Sequence, residues 1–284
     1  MSPIALLVMY CGLILAASLI GGWVPLLIRL THERMELAVS FVSGVMLGVA
    51  LLHLLPHAWM QRGAWLNAGA GDQVINHQLI DPVLWWLLAG FLGMFFMERF
   101  FCFHHHDVPE HNGTNGGLNT AHHGHRLTWT GAAIGLSVHS VIAGVALAAS
   151  VAAEGRDDHS AALAGLGTFL AIVLHRPFDS MTLGTLMALG RRSMRARHLA
   201  NALFALVVPL GVGLFFLGAG YETSEAPRLV SCALAFCAGT FLCIALSDLL
   251  PELQFHQHDR IKLSAALLGG LGLAWAVGQL DVHQ

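Results

Sequence analysis

The chain has 284 residues, of which 56% are hydrophobic and 11% charged, with a net charge of −3 and a mean hydropathy of +0.66. Typical soluble domains hold about 25% charged residues, so an ordinary water-soluble globule is excluded. Without a basic excess, nucleic-acid binding has no support. The composition predicts an all-α membrane protein, because a segment in lipid must satisfy its own backbone polar groups.

Apolar stretches of about 20 residues fall near 4–28, 36–60, 81–102, 128–152, 161–189, 199–220, 229–250 and 261–279, giving eight predicted transmembrane helices in a single membrane domain over 1–284. The first is read as a retained span rather than a signal peptide, since no Lys or Arg precedes Arg29 and the stretch exceeds an h-region. The first, third, fifth and seventh connections carry ten basic residues and the alternate ones three. The excess marks the cytoplasmic side, so both termini are expected outside it in a multi-pass cell membrane protein. Asn112-Gly113-Thr114 then falls on the cytoplasmic side and reads as a chance glycosylation match. Cys11, Cys102, Cys232, Cys237 and Cys243 lie in or at the ends of spans, without the loop spacing of a disulfide framework.

The second span carries His53 and His57. Shifting by 195 residues aligns Phe41–His57 with Phe236–Glu252 in the seventh span, with eight of seventeen positions identical, including Leu54-Leu55-Pro56 and Leu249-Leu250-Pro251. His53 then matches Asp248, and His57 matches Glu252. Helices five spans apart cross the membrane in opposite senses, so this is an inverted repeat of the kind found in secondary transporters. His53, His57 and Asp248 are candidate stations along a transport path; the plain alternative for the histidines is snorkelling at the interface. Glu252 reads as a solvated helix end. The third connection, 103–126, holds His104, His105, His106, His111, His122, His123 and His125 among Gly, Asn and Asp. It predicts a metal-attracting cytoplasmic loop without fixed structure.

The fourth and fifth spans carry the main site. His139 is the twelfth residue of its span, roughly 17 Å in and near mid-bilayer. His175, Arg176 and Asp179 interrupt the apolar run 161–189, and ionisable groups at that depth are expensive unless they work. His175 and Asp179 are four apart, on one helix face. Two imidazoles and a carboxylate suit Zn²⁺ or Fe²⁺, Co²⁺ and Ni²⁺. The alternative is a buried Arg176–Asp179 ion pair with the histidines as bonded core residues. Pro177, and Pro209 with Gly211 and Gly213, are expected to loosen their helices.

These residues resemble the ZIP (Zrt/Irt-like) metal transporters over essentially the whole chain. The likeness rests on eight spans, His53-Leu54-Leu55-Pro56, the pentads opened by His139 and His175, Pro209-Leu210-Gly211, Gly239-Thr240-Phe241 and Leu250-Pro251-Glu252. The resemblance implies movement of a divalent metal toward the cytoplasm by elevator-type alternating access, with spans one, four, five and six sliding on two, three, seven and eight, and a homodimer as assembly. It places the transported ion on His139, His175 and Asp179. Ala143 stands where relatives carry a carboxylate, and Ser140, Arg176 and Val208 stand where a second metal is held. A second metal is therefore not expected, with the Arg176 charge in its place. Two other classes compete. One is a non-transporting metal sensor, favoured by Ala143 and Arg176. The other is an intramembrane zinc hydrolase, for which His32-Glu33-Arg34-Met35-Glu36 lacks a second histidine and falls in a predicted loop, leaving Ser180 as the obvious nucleophile.

Overall fold

The computed structural model describes residues 2–27, 32–67, 77–101, 129–155, 163–219, 226–255 and 260–282. Their regular structure is entirely helical: α1 (Pro3–Leu27), α2 (His32–Val49), a π-helical turn (Ala50–Leu54), α3 (Leu55–Asn67), α4 (His77–Phe101), α5 (Trp129–Glu154), α6 (Leu166–Leu189), α7 (Met194–Ala205), α8 (Val207–Ala219), α9 (Ala226–Phe255) and α10 (Arg260–Val282). Seven stretches among the described residues are long and apolar enough to cross a membrane. The predicted span 161–189 is helical over Leu166–Leu189, as α6, but is not among the seven. Its centre carries His175, Arg176 and Asp179, and the helix packs against α1, α2, α5 and α7. The His-rich segment 103–126 lies outside the described residues.

Several local boundaries have direct causes. His32–Glu36 opens α2 rather than forming the expected loop. The Leu55 N–H bonds to the Ala50 carbonyl, the five-residue step of a π turn. Pro56 follows with no N–H to give, which removes one constraint on the register there. The matching stretch before Pro251 stays within α9 as ordinary α-helix. α6 begins at Gly165, whose φ of +73° is left-handed and cheap only for glycine. α6 runs through Pro177 as one continuous helix. The sixth predicted span divides at Leu206, whose N–H turns back to the Leu203 carbonyl at 3.2 Å, three residues before Pro209.

The helices pair through small residues, which let backbones approach closely. α2 packs on α10, α4 on α9, α1 on α6, and α5 on α8. A Cβ added at Gly44 would collide with the Leu267 carbonyl, and one at Gly239 with the Leu87 carbonyl. One at Gly270 would meet the Phe41 carbonyl, and one at Gly90 the Phe236 carbonyl. Gly21 lies against the Pro177 backbone, and Gly211 against the Val141 carbonyl. One apolar core joins α1, α2, α5, α6, α8 and α9 around Ile14, Val49, Leu147, Ile172, Leu234 and Phe241.

Candidate metal centre

His139 on α5 and His175 on α6 are buried, and their Nε2 atoms lie 3.3 Å apart. The Nδ1 of His175 is 2.7 Å from the Ala171 carbonyl. A carbonyl only accepts, so Nδ1 carries the hydrogen and Nε2 presents its lone pair. Asp179 Oδ2 stands 3.7 Å from the same Nε2. One ligand atom from each of His139, His175 and Asp179 falls within 4.8 Å of the others. Two nitrogens bound to zinc at about 2.0–2.1 Å and a tetrahedral angle stand roughly 3.3 Å apart, so the imidazole spacing suits one ion between them. His139 Nδ1 is buried with no hydrogen-bond partner. The ring of Phe241 on α9 meets His175 edge-on, 6.4 Å between centroids.

Ala143 lies one turn beyond His139, fully buried, and its methyl offers no ligand. Arg176 is also fully buried. Its guanidinium donates to Ser140 Oγ and to the Phe204 carbonyl, the latter at 2.5 Å, and lies 3.9 Å over the Phe204 ring. Nη1 is 3.7 Å from Asp179 Oδ2. Asp179 is thus shared between the imidazole and the guanidinium, so an Arg176–Asp179 ion pair is compatible with a donor set that could hold a metal ion. Ser140 donates to the Leu136 carbonyl at 2.6 Å, and Val208 is wholly buried.

The path candidates sit elsewhere in the bundle. His53 occupies the π turn, buried rather than snorkelling, with Nε2 2.8 Å from the Ala274 carbonyl and its ring between Gly167 of α6 and Gly278 of α10. His57 bonds through Nδ1 to the His53 carbonyl at 2.8 Å. The side chains of Asp248 and Glu252 lie outside the described ones. Sequence reasoning missed Glu154. This buried acid accepts from Ser150 at 3.0 Å and from the Gly165 N–H at 2.5 Å, and approaches His57 at 3.8 Å. It joins the end of α5 to the start of α6, where a carboxylate suits the helix N-terminus. Cys11, Cys232, Cys237 and Cys243 are free thiols, while Cys102 lies outside the described residues.

Comparison with known proteins finds named zinc transporters over most of the chain. The chain is 26% identical to a zinc transporter ZIP9 from Micropogonias undulatus over 92% of this chain and 88% of that one. It is 28% identical to a human zinc transporter ZIP13 over 83% and 68% respectively, and 30% identical to zinc transporter 3 of Arabidopsis thaliana over 49% and 41%. The model of the ZIP zinc transporter family matches residues 4–130 and 119–277. With apolar helices around two facing imidazoles and a carboxylate, the chain belongs to the ZIP zinc transporter family, a family of membrane metal-ion transporters rather than enzymes.

Proposed function

We propose that this chain carries a divalent transition metal, zinc foremost, across the membrane toward the cytoplasm through a single mid-membrane site formed by His139, His175 and Asp179. The 3.3 Å approach of the two Nε2 atoms carries this reading. Ala143 withholds a fourth protein ligand, leaving that place to water, and a site with few ligands releases its cargo readily. Arg176 holds with a fixed charge the place of a second ion, bridging Ser140 and the Phe204 carbonyl.

Movement is of the elevator type, about an inverted repeat of eight spans with α6 the fifth. Paired contacts support that repeat. Gly44 against Leu267 and Gly239 against Leu87 exchange under offsets of 195 for α2 to α9 and 180 for α4 to α10, as do Gly270 against Phe41 and Gly90 against Phe236. Gly21 against Pro177 and Gly211 against Val141 exchange under 190 and 36. The most extensive helix pairings fall within α2, α4, α9 and α10 or within α1, α5, α6 and α8. In this scheme His53, His57 and Asp248 line the route, both termini face outward, and 103–126 is a cytoplasmic metal sink. The protein works as a homodimer.

The Arg176–Asp179 approach of 3.7 Å favours a second reading, a metal sensor that binds without transport. Full-length protein in liposomes separates the two. Saturable entry of radioactive zinc, abolished in His175→Ala, is expected for the carrier. Metal binding with no entry of any divalent ion would establish the sensor.

A further inference from the structure

Three polar side chains stand at four-residue steps, His53 in the π turn and His57 and Gln61 on α3. That spacing sets them in one row on one helix face, and the row meets the end of α5 and the start of α6. His53 bonds to the Ala274 carbonyl of α10 and lays its ring against Gly167 of α6, where an added Cβ would stand 3.1 Å away. His57 Nδ1 lies 3.8 Å from Glu154 Oε1. Gln61 is buried and donates through Nε2 to the Ala153 carbonyl at 3.3 Å.

On the other side of this seam, Glu154 is held by its own hairpin. Ser150 and the Gly165 N–H donate to its carboxylate, and Thr168 donates to Ser150 at 3.0 Å. The end of α5 and the start of α6 therefore present the Glu154 carboxylate and the Ala153 carbonyl as one piece. Elsewhere the helices meet through glycine and apolar side chains. A polar seam differs in that its hydrogen bonds can be exchanged for bonds to water when the surfaces part, at small net cost.

The seam closes one end of the path to the metal centre. His139, Ala143, Ala146, Ser150 and Glu154 follow one another at three- and four-residue steps along a single face of α5. Gly144 packs on Val208 of α8, so Ala146, two residues on, points away from that helix. Ala143, Ala146 and Ser150 of α5 and Thr168, Ala171 and Ile172 of α6 are none of them more than 1% exposed. Asp179, one turn beyond His175 in the opposite direction, keeps 16% of its side chain exposed. The end where the polar row meets Glu154 is thus the sealed one.

We infer that His57 and Gln61 clasp Glu154 and the Ala153 carbonyl to close the metal centre from the α5–α6 end, and that these contacts part when that end opens. Glu154 is then a positioning residue of the transport cycle. The inference rests on the carrier reading above for which helices move: α3 belongs to the scaffold, and α5 and α6 to the moving unit.

The test reads opening directly, in the full chain in detergent without zinc. Ala146→Cys places a thiol behind the clasp, and Met187→Cys places one at the buried far end of α6. N-ethylmaleimide labelling of each is followed by peptide mass spectrometry, which separates the new thiol from the native ones. His57→Ala and Gln61→Ala should each speed labelling at position 146 about fivefold, and together more, since one hydrogen bond shifts an equilibrium by roughly that factor. Glu154→Gln should do the same, while its amide oxygen can still accept from the Gly165 N–H. Labelling at position 187 should not rise. Arg62→Gln, whose guanidinium lies over Trp65, should change neither. Unchanged labelling at position 146, or an equal rise at both positions as in a loosened fold, would overturn the clasp. Zinc entry into liposomes is scored separately. A protein that carries no zinc but shows this labelling keeps the clasp and loses the carrier reading, and normal entry without the response does the reverse.

Discussion

His139 and His175 face each other through their Nε2 atoms at 3.3 Å, one from α5 and one from α6. Two neutral imidazoles can share one proton at that distance, but the separation also equals the edge of a zinc tetrahedron. The Ala171 carbonyl has already fixed the tautomer of His175, so little reorganisation is needed when the metal arrives.

His175→Ala should consequently lower zinc affinity by well over the roughly 10–100-fold lost when an outer partner of a ligand is removed. Isothermal titration of the purified protein measures this. A change of less than threefold would mean that the two imidazoles serve packing. His139→Ala should match it, because each histidine supplies one nitrogen.

Much of this centre was legible in the sequence because the cost of polar groups in lipid makes them conspicuous. His139, His175 and Asp179 stood out against apolar runs, and the structure gathers them within 4.8 Å. Of the partners of Arg176, Asp179 was legible from the three-residue spacing, and the Phe204 carbonyl was not. The Phe204 carbonyl is a backbone group, and backbone acceptors carry no residue signature. Glu154 went unnoticed because acids are ordinary at span ends, and only tertiary structure brings Gly165 and His57 to it. The π turn at Ala50–Leu54 could not be told from its repeat partner, since both precede Leu-Leu-Pro and only one widens. α6 shows the opposite tension: the polar groups that reveal the site also make it the least apolar of the expected spans.

Ala143→Glu should return a carboxylate one turn from His139. Ala143 is 1% exposed, so the new side chain would be confined near the two imidazoles, where a metal ion compensates its charge. Zinc affinity should rise about tenfold or more, while the metal-free protein should unfold at lower temperature, since an unpaired buried charge is costly. Titration together with thermal unfolding in detergent, with and without zinc, reads both effects. No gain in affinity would place residue 143 away from the ion.

Arg176→Met should destabilise the metal-free protein by about 3–5 kcal/mol, the usual cost of removing one member of a buried ion pair. Asp179 would keep its charge without the guanidinium now 3.7 Å away, and Ser140 and Phe204 would each lose a donor. Zinc should recover part of the loss by neutralising Asp179, and Asp179→Asn in the same background should recover stability without metal. Arg176→Asp goes further and places a carboxylate beside Ser140, so it should tighten metal binding. Calorimetry giving unchanged or weaker affinity for that variant would remove Arg176 from the place of a second ion.

Gly44→Ala and Gly239→Ala test the repeat through packing alone. At each position the added methyl would strike a carbonyl of the neighbouring helix, Leu267 in one case and Leu87 in the other. Backbone cannot swing aside as a side chain can, so each variant should lose about 1–3 kcal/mol to overpacking, outweighing the roughly 1 kcal/mol that alanine contributes to an isolated helix. Gly12→Ala and Gly213→Ala, where no atom lies within 4 Å of the added carbon, should be neutral or stabilising. Chemical or thermal unfolding in the same detergent provides the comparison. If the two collisions exchange under the proposed inverted repeat, their costs should agree within about 1 kcal/mol, the scale of coupling seen when local environments differ. A large loss at Gly44 with none at Gly239 would mean that the two helix pairs are packed by different means, and that the matching sequences do not reflect matching halves.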